Sequence, residues 1–477
     1  MPNTVIAGAG AAGLATALAL GEHGHRVLVV DPSPAPPEGD LPDAADRWDR
    51  PSLPHLAQPH TVTSVGALLL RDRVPDLWED LVAAGALPLD LTAAMPGGGR
   101  PTGTDAQLIA LACRRPLLDL ALYRRARATP GVEIWHGTTV SALALDEGRR
   151  RVAGVRTGSG ARLAASVVVD ATGRRARAAR WLAAAGLPVP PDHASSAGVR
   201  VYSRFYRRTS DGGPPGPLNR GNAAGFVGDQ YAGVLHPADG RHFSVAIGVL
   251  PEDHAMGSLL APAGFTAAAR SLPHVSPWLA DGAAEATTPV RTMTCQASVL
   301  RGLATAQRQP VTGLFPVGDA ACVTNPLFGR GVSLALAHGF ALAAAIAEHP
   351  EGGPEQGRAA VRAARRLLRP WYVQSADDDA ERIPRWRAAL DGAEPPPEPE
   401  ADAGRLALRT VGRAAAAGDP VVWRGLTRVL MGLDTPAAVF SDDDFRAHVR
   451  KSLAAGGPAA PPPPGRAELL EIAARSR

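Results

Sequence analysis

Cysteine is scarce in this chain of 477 residues: there are three, Cys113, Cys295 and Cys322, none in a CxxC pair. An odd number of isolated cysteines excludes a disulfide framework and a cysteine zinc site. The thirteen histidines are scattered, with no HExxH, so no metal site is expected. Lysine is scarcer still: Lys451 is the only one among 50 basic residues. Aromatics reach only 5%, which speaks against a base-stacking nucleic-acid platform. The net charge of +4 is small for this length, and the densest basic run is Arg149-Arg150-Arg151, so no nucleic-acid partner is expected. The longest apolar stretches, 7–21 and 332–349, are short or interrupted, so no membrane span is expected. Met1 leads straight into strand-like residues 5–7, so the reading is a cytoplasmic protein with no leader.

Glycine (51) and proline (45), by contrast, are abundant, and 45% of residues are hydrophobic: a globular chain with many turns and two or three domains. Residues 4–8, 11–23 and 26–31 read as strand, helix and buried strand, hence a parallel pair. Helical periodicity follows at 61–84, broken at Pro75, and at 116–128. Strands are expected at 132–136, 139–145, 152–157 and 162–170. Between 190 and 300 the texture changes to antiparallel strands at 198–206, 223–227, 231–236 and 242–249, with a helix at 264–271. A buried strand at 313–319 and a helix at 331–348 then complete the first sheet late in the chain. Beyond 355 the chain is helical; 394–400 (EPPPEPE) reads as a linker and 459–465 (AAPPPPG) as a flexible tail.

Three motifs carry chemistry. Gly8-Ala9-Gly10-Ala11-Ala12-Gly13 is a GxGxxG between strand and helix. Gly8 permits the tight turn, Gly10 admits a pyrophosphate and Gly13 lets the helix pack on the strand. Asp31 ends the second strand 18 residues after Gly13, where an acid accepts from a ribose. Residues 167–174 (VVVDATGR) and 313–331 (GLFPVGDAACVTNPLFGRG) are the second and third motifs. In this order they resemble those of FAD-dependent monooxygenases of the para-hydroxybenzoate hydroxylase and squalene epoxidase type. The local likeness is to bacterial natural-product epoxidases and hydroxylases, through Gln58-Pro59-His60, 167–182 and 325–331. Ala176 departs from the serine that many relatives carry there.

The resemblance implies an α/β fold: a Rossmann-like FAD-binding domain (1–189 and 301–350), an inserted antiparallel-sheet substrate domain (190–300), a helical C-terminal region (351–455) and a flexible tail (456–477). It implies that FAD is bound by Gly8, Gly10, Ala12, Gly13, Asp31, Arg115, Val140, Asp319, Pro326, Gly329, Gly331 and Val332. Asp319 would hold a ribityl hydroxyl, Arg115 the phosphates and Val140 the adenine through its backbone, with Arg47 and Arg50 candidates for the adenine side. The activity implied is hydroxylation or epoxidation of a lipophilic or polycyclic intermediate of secondary metabolism through a C4a-(hydro)peroxyflavin. NAD(P)H or a partner flavin reductase would supply electrons. Because the flavin carries the chemistry, no acid–base dyad need appear, and none is assigned. Side chains alternate along a strand, so Tyr202, Arg204 and Tyr206 share one face, which is expected to line the substrate pocket.

Other chemistries stay open at this level. Flavin halogenases share part of the fold, but they use a lysine near the substrate tunnel and a WxWxIP motif, which this chain lacks. C=C reduction or dehydrogenation, and a flavoprotein scaffold for a non-redox cyclisation, are the alternatives. His60 is read as packing near the flavin or at a helix start rather than as a catalytic base, and Cys322 and His338 as structural residues.

Overall fold

The computed structural model describes residues 3–98, 102–397, 406–456 and 461–476. A five-stranded sheet runs in the order Leu314–Pro316, Val167–Asp170, Thr4–Ala7, Val27–Val30, Val132–Trp135, with every pair parallel. Its central strands are continuous runs such as VLVV and VVVD, the pattern of a sheet buried on both faces. On one face lie the helices Ala11–Glu22, Arg115–Ala128 and Gly331–Glu348. The first and last of these approach closely at Gly339, where a Cβ would stand 2.9 Å from Thr16 Oγ1. The other face is covered by a three-stranded sheet (Val140–Leu145, Val152–Thr157, Arg162–Ala164) and the helix Arg177–Ala184. Gly331–Glu348 is long and apolar enough to cross a membrane, but it is two-thirds buried as a core helix.

The inserted region forms a seven-stranded antiparallel sheet in the order Ala224–Val227, Ala232–Pro237, His242–Val249, His193–Arg208, Arg291–Leu300, Cys322–Val323, with Ala284–Ala286 also paired to His193–Arg208. Pro354–Asp391, a helix of 38 residues, packs on Gly331–Glu348 and on this sheet. Helices Leu408–Ala416, Pro420–Leu430 and Asp443–Ala455 form a further apolar cluster beside it.

Several expectations need correction. The single strand at 162–170 is two strands in different sheets, Arg162–Ala164 and Val167–Asp170. Arg291–Leu300, which pairs with the longest strand of the large sheet, is a strand outside the expected set; polar and apolar residues are equally many in it, and Val299 is its only β-branched apolar residue. The tail is not flexible throughout: Arg466–Arg475 is a helix whose Leu469 and Ala473 are fully buried against Pro262–Arg270. Tyr231 O–H donates to the Pro464 carbonyl at 2.7 Å, and Arg466 Nε donates to Asp253 Oδ2 at 2.6 Å. Residues 398–400 of the expected linker and 459–460 of the expected tail lie outside the described residues.

Candidate functional site

The glycine loop is shaped from below. Gly8 has φ +115, and a Cβ there would lie 2.5 Å from the Ala171 carbonyl oxygen. A Cβ on Gly13 would meet the Gly8 carbonyl oxygen at 2.0 Å, so only glycine lets this helix start so close to the strand. At Gly10 an added Cβ meets nothing within 4 Å: the loop faces open space there. Asp31 accepts from the Ala9 amide at 2.7 Å and the Ser33 amide at 2.8 Å, so its first task is to hold the loop. Buried Arg50 donates to the Ala9 carbonyl at 2.7 Å and to Asp119 at 3.1 Å, and lies 4.3 Å over the Trp48 ring. The other oxygen of Asp119 accepts from Arg115 Nε, so one buried carboxylate orients both arginines.

The second motif is also structural. Asp170, fully buried, accepts from the amide and hydroxyl of Thr172 and from the Ala178 amide. Burial pushes its carboxyl pKa up.

These parts frame one cleft, of about 140 Å³, between the N-termini of Ala11–Glu22 and Gly331–Glu348. Neither helix has a side-chain cap, and an added Cβ at Gly331, as at Gly10, meets nothing within 4 Å. Uncapped first-turn amides and the helix dipole make each end a place for negative charge. Gly10, Ala12, Arg115, Asp319, Pro326, Gly329, Gly331 and Val332 line the cleft, so eight of the twelve expected cofactor residues are brought together. Arg115 is buried rather than an exposed cap. Asp319 sits at the mouth, 3.7 Å from Arg174. Gly8, Gly13 and Asp31 stand behind the loop, and the Val140 side chain packs in the satellite core behind the parallel sheet. The open glycines, the two free helix ends, the buried arginine and the carboxylate at the mouth fit the charged groups of an anionic dinucleotide.

A smaller chamber of about 50 Å³ adjoins the cleft, sharing Pro59, His60, Met293, Pro326 and Gly329 with it. Its far wall is the inner face of the large sheet: Val201, Ala232, Val234, His236, Ala246 and Gly248. Here the expectation for Tyr202, Arg204 and Tyr206 fails. They do share a face, but it is the opposite one. Tyr202 and Tyr206 are each 1% exposed, packed with Phe243, Phe265 and Trp278. Arg204 donates to the Thr288 and Pro262 carbonyls. The neighbours in sequence, Val201 and Ser203, point inward instead.

His60, expected near the flavin or at a helix start, lines the cleft, and so does His55, which sequence reasoning left out; their ring centroids are 5.9 Å apart. Burial, reinforced by the Arg115 charge, lowers His55 to about 4 and holds His60 well below the usual imidazole value. Their only sequence signal was the run Gln58-Pro59-His60. Cys322 is buried and its thiol is pushed up to about 12, chiefly by burial, as expected of a structural cysteine. A larger cavity, about 1040 Å³, lies elsewhere, between Pro354–Asp391 and residues 435–441, and shares no residue with the cleft.

The comparisons with known proteins agree with this geometry. Residues 3–35 match the family model for an FAD binding domain. "Protein Rv3254" of Mycobacterium tuberculosis (strain ATCC 25618 / H37Rv) is 29% identical over 421 residues, 80% of this chain and 83% of that protein. Among solved structures, p-nitrophenol 4-monooxygenase PnpA from Pseudomonas putida DLL-E4 superposes with TM-score 0.59 at 18% identity, covering 91% of this chain and 98% of that one. The flavin-dependent brominase Bmp2 gives 0.57 at 18%, covering 95% and 98%. The chain therefore has the FAD-binding oxidoreductase fold shared by flavin-dependent monooxygenases and halogenases.

Proposed function

We propose that the chain is an FAD-dependent monooxygenase that hydroxylates or epoxidises a lipophilic or polycyclic natural-product intermediate. The observation that carries this reading is the junction of cleft and chamber. Two uncapped helix ends and Arg115 border a space suited to an anionic dinucleotide, and that space opens into an apolar chamber under the sheet. When bound, FAD would supply the activation of O₂. The chain's part is to bind, orient and exclude water. Arg115 and the Gly10–Gly13 amides would hold the pyrophosphate. Asp319 would hold a ribityl hydroxyl, and the Gly331–Glu348 dipole would favour negative charge on the flavin pyrimidine. The chamber walls Val201, Val234, Ala246 and Met293 would present the substrate's apolar body.

Halogenation is less well supported. Lys451, the only lysine, lies on Asp443–Ala455 and borders neither cleft nor chamber. Electrons would come from NAD(P)H or a separate flavin reductase. The test is FAD reconstitution, chromatography of heat-released flavin, then turnover under ¹⁸O₂. Bound FAD with one labelled oxygen in the product is expected. A protein that takes up no FAD ends the reading, and unlabelled product shifts it to C=C reduction, dehydrogenation or a non-redox scaffold.

A further inference from the structure

The long helix Pro354–Asp391 carries Arg362, Arg365, Arg366 and Arg369 on one face, at spacings of three and four, and all four are exposed. Like charges at these spacings repel, so the row weakens the helix that carries it. On the same helix Arg358, Arg382 and Arg385 each face a carboxylate. Among the described residues, Arg365, Arg366 and Arg369 have no acidic partner within 4 Å. These three line one end of the cavity of about 1040 Å³ between the helix and residues 435–441. Beyond them the walls are largely apolar: Pro370, Val373, Leu406, Pro436, Ala437 and Phe440. Val373 is 41% exposed, so its apolar surface is left uncovered. Asp377, Asp378 and Glu381 line the opposite end. Arg369 and Asp378 are separated by about 13 Å along the helix axis, at a rise of about 1.5 Å per residue.

We propose that this cavity binds a single-chain amphiphile, its carboxylate or phosphate head on Arg365, Arg366 and Arg369 and its apolar body along Val373, Pro436 and Phe440. The head follows from the arginines. Each guanidinium is a planar fork that pairs with two oxygens of a carboxylate or phosphate at once, and three such forks converge without partners. The acidic end repels the same head, so the ligand lies in one direction only. The body follows from the walls: a bare anion would neutralise the arginines and leave Val373 in water. The volume suffices, since sites for drug-sized ligands occupy about 300–1,000 Å³. A bilayer offers the same head chemistry, but Phe440 and Leu406 are recessed, at 8% and 6% exposure, and meet a single chain more readily than a sheet of headgroups. The cavity shares no residue with the cofactor cleft, so its ligand is independent of what that cleft holds.

The test titrates the full chain, reconstituted with FAD, by calorimetry at pH 7. The probes are decyl phosphate and decyltrimethylammonium, both below their micelle concentrations, and inorganic phosphate. Decyl phosphate should bind at least tenfold tighter than either of the others. Arg365→Gln, Arg366→Gln and Arg369→Gln combined should weaken it at least tenfold, and Arg369→Gln alone at least threefold. Ala437→Trp, at an exposed position of the wall, should weaken it at least tenfold by filling the cavity. FAD content and melting temperature report that each variant is folded; if the triple variant is not, Arg369→Gln and Ala437→Trp decide. Sedimentation with vesicles of phosphatidylcholine and phosphatidylglycerol separates a single chain from a membrane surface. The proposal is overturned if the protein follows the vesicles without binding monomeric decyl phosphate. It is also overturned if either other probe binds as tightly, if none binds, or if the folded variants bind decyl phosphate as the wild type does.

Discussion

The two faces of the large antiparallel sheet are made by the same strands and behave as different materials. The outer face carries Tyr202, Tyr206, Phe243 and Ile247 and is sealed by Pro262–Arg270 and by the strap Arg466–Arg475. Tyr206 stacks on Phe243 at 5.4 Å and its hydroxyl pairs with Thr266 Oγ1 at 2.9 Å. The inner face carries mainly smaller residues: Val201 is flanked in register by Gly248 and Met293, and Ala246 faces Val234 across the next pair. Large side chains interlock with helices on the outer face, whereas small ones on the inner face leave the chamber beside the cleft. One face is core and the other lines a cavity because of residue size and position, not hydrophobicity.

That contrast can be broken most severely from outside. Tyr206→Ala removes a fully buried ring and should cost about 3–5 kcal/mol of stability, read by chemical denaturation, with FAD content per folded molecule unchanged. A cost under 1 kcal/mol would mean the outer face is not core. Leu469→Ala loosens the strap and should cost about 2–4 kcal/mol, with stability affected before ligand binding. Loss of FAD binding with stability unchanged would instead tie the strap to the cleft.

From inside, Ala246→Phe should do the reverse. Ala246 borders the chamber and is not fully buried, so the added ring fills existing space. Its stability cost should be about 1 kcal/mol, at the low end for overpacking, while binding of the lipophilic substrate falls at least tenfold and FAD content holds. Unchanged binding would remove the inner face from the pocket.

The smallest effect lies away from the sheet. Asp378 and Asp379 on Pro354–Asp391 have carboxyls raised to about 7 and about 6, chiefly by desolvation. Raised values mean that the folded state holds these protons more tightly than the unfolded chain. The contribution is full below about 4 and is lost as pH rises through 7. Half-buried His55 and His236 and buried His338, each lowered to about 4 mainly by desolvation, act in the opposite sense over the same range. The comparison must therefore be differential: the melting temperature of wild type minus that of Asp378→Asn should grow as pH falls from 7.5 to 5. A pH-independent difference would show that Asp378 does not titrate in this window.

Much of the fold was legible because its signals are local. GxGxxG after an apolar strand, VVVDATGR, and the Asn-Pro-x-x-Gly-x-Gly run each tie backbone conformation to nearby residues. The strand 291–300 gives a weak signal: its apolar stripe, Met293, Cys295, Ala297 and Val299, has no aromatic and only one β-branched residue. The helix Arg466–Arg475 was hidden behind its proline run, and its two buried residues, Leu469 and Ala473, are too few to announce it.

By itself the sequence determined the parallel sheet, the order of the motifs, the inserted strands and the alternation that puts Tyr202, Arg204 and Tyr206 on one face. Tertiary structure alone decided which face that is. Strand periodicity says which residues point together but not toward what, and a register shift between Ser196 and Val199 lies just before the stretch in question. Only the packing of the helices against the outer face, and of the Gln58–His60 segment against the inner one, settles the direction. The same holds for the placement of His60: it depends on a carbonyl two residues back and a serine 143 positions on in the chain, joined through Gln58. Contacts of that range are made by folding, and no local pattern records them.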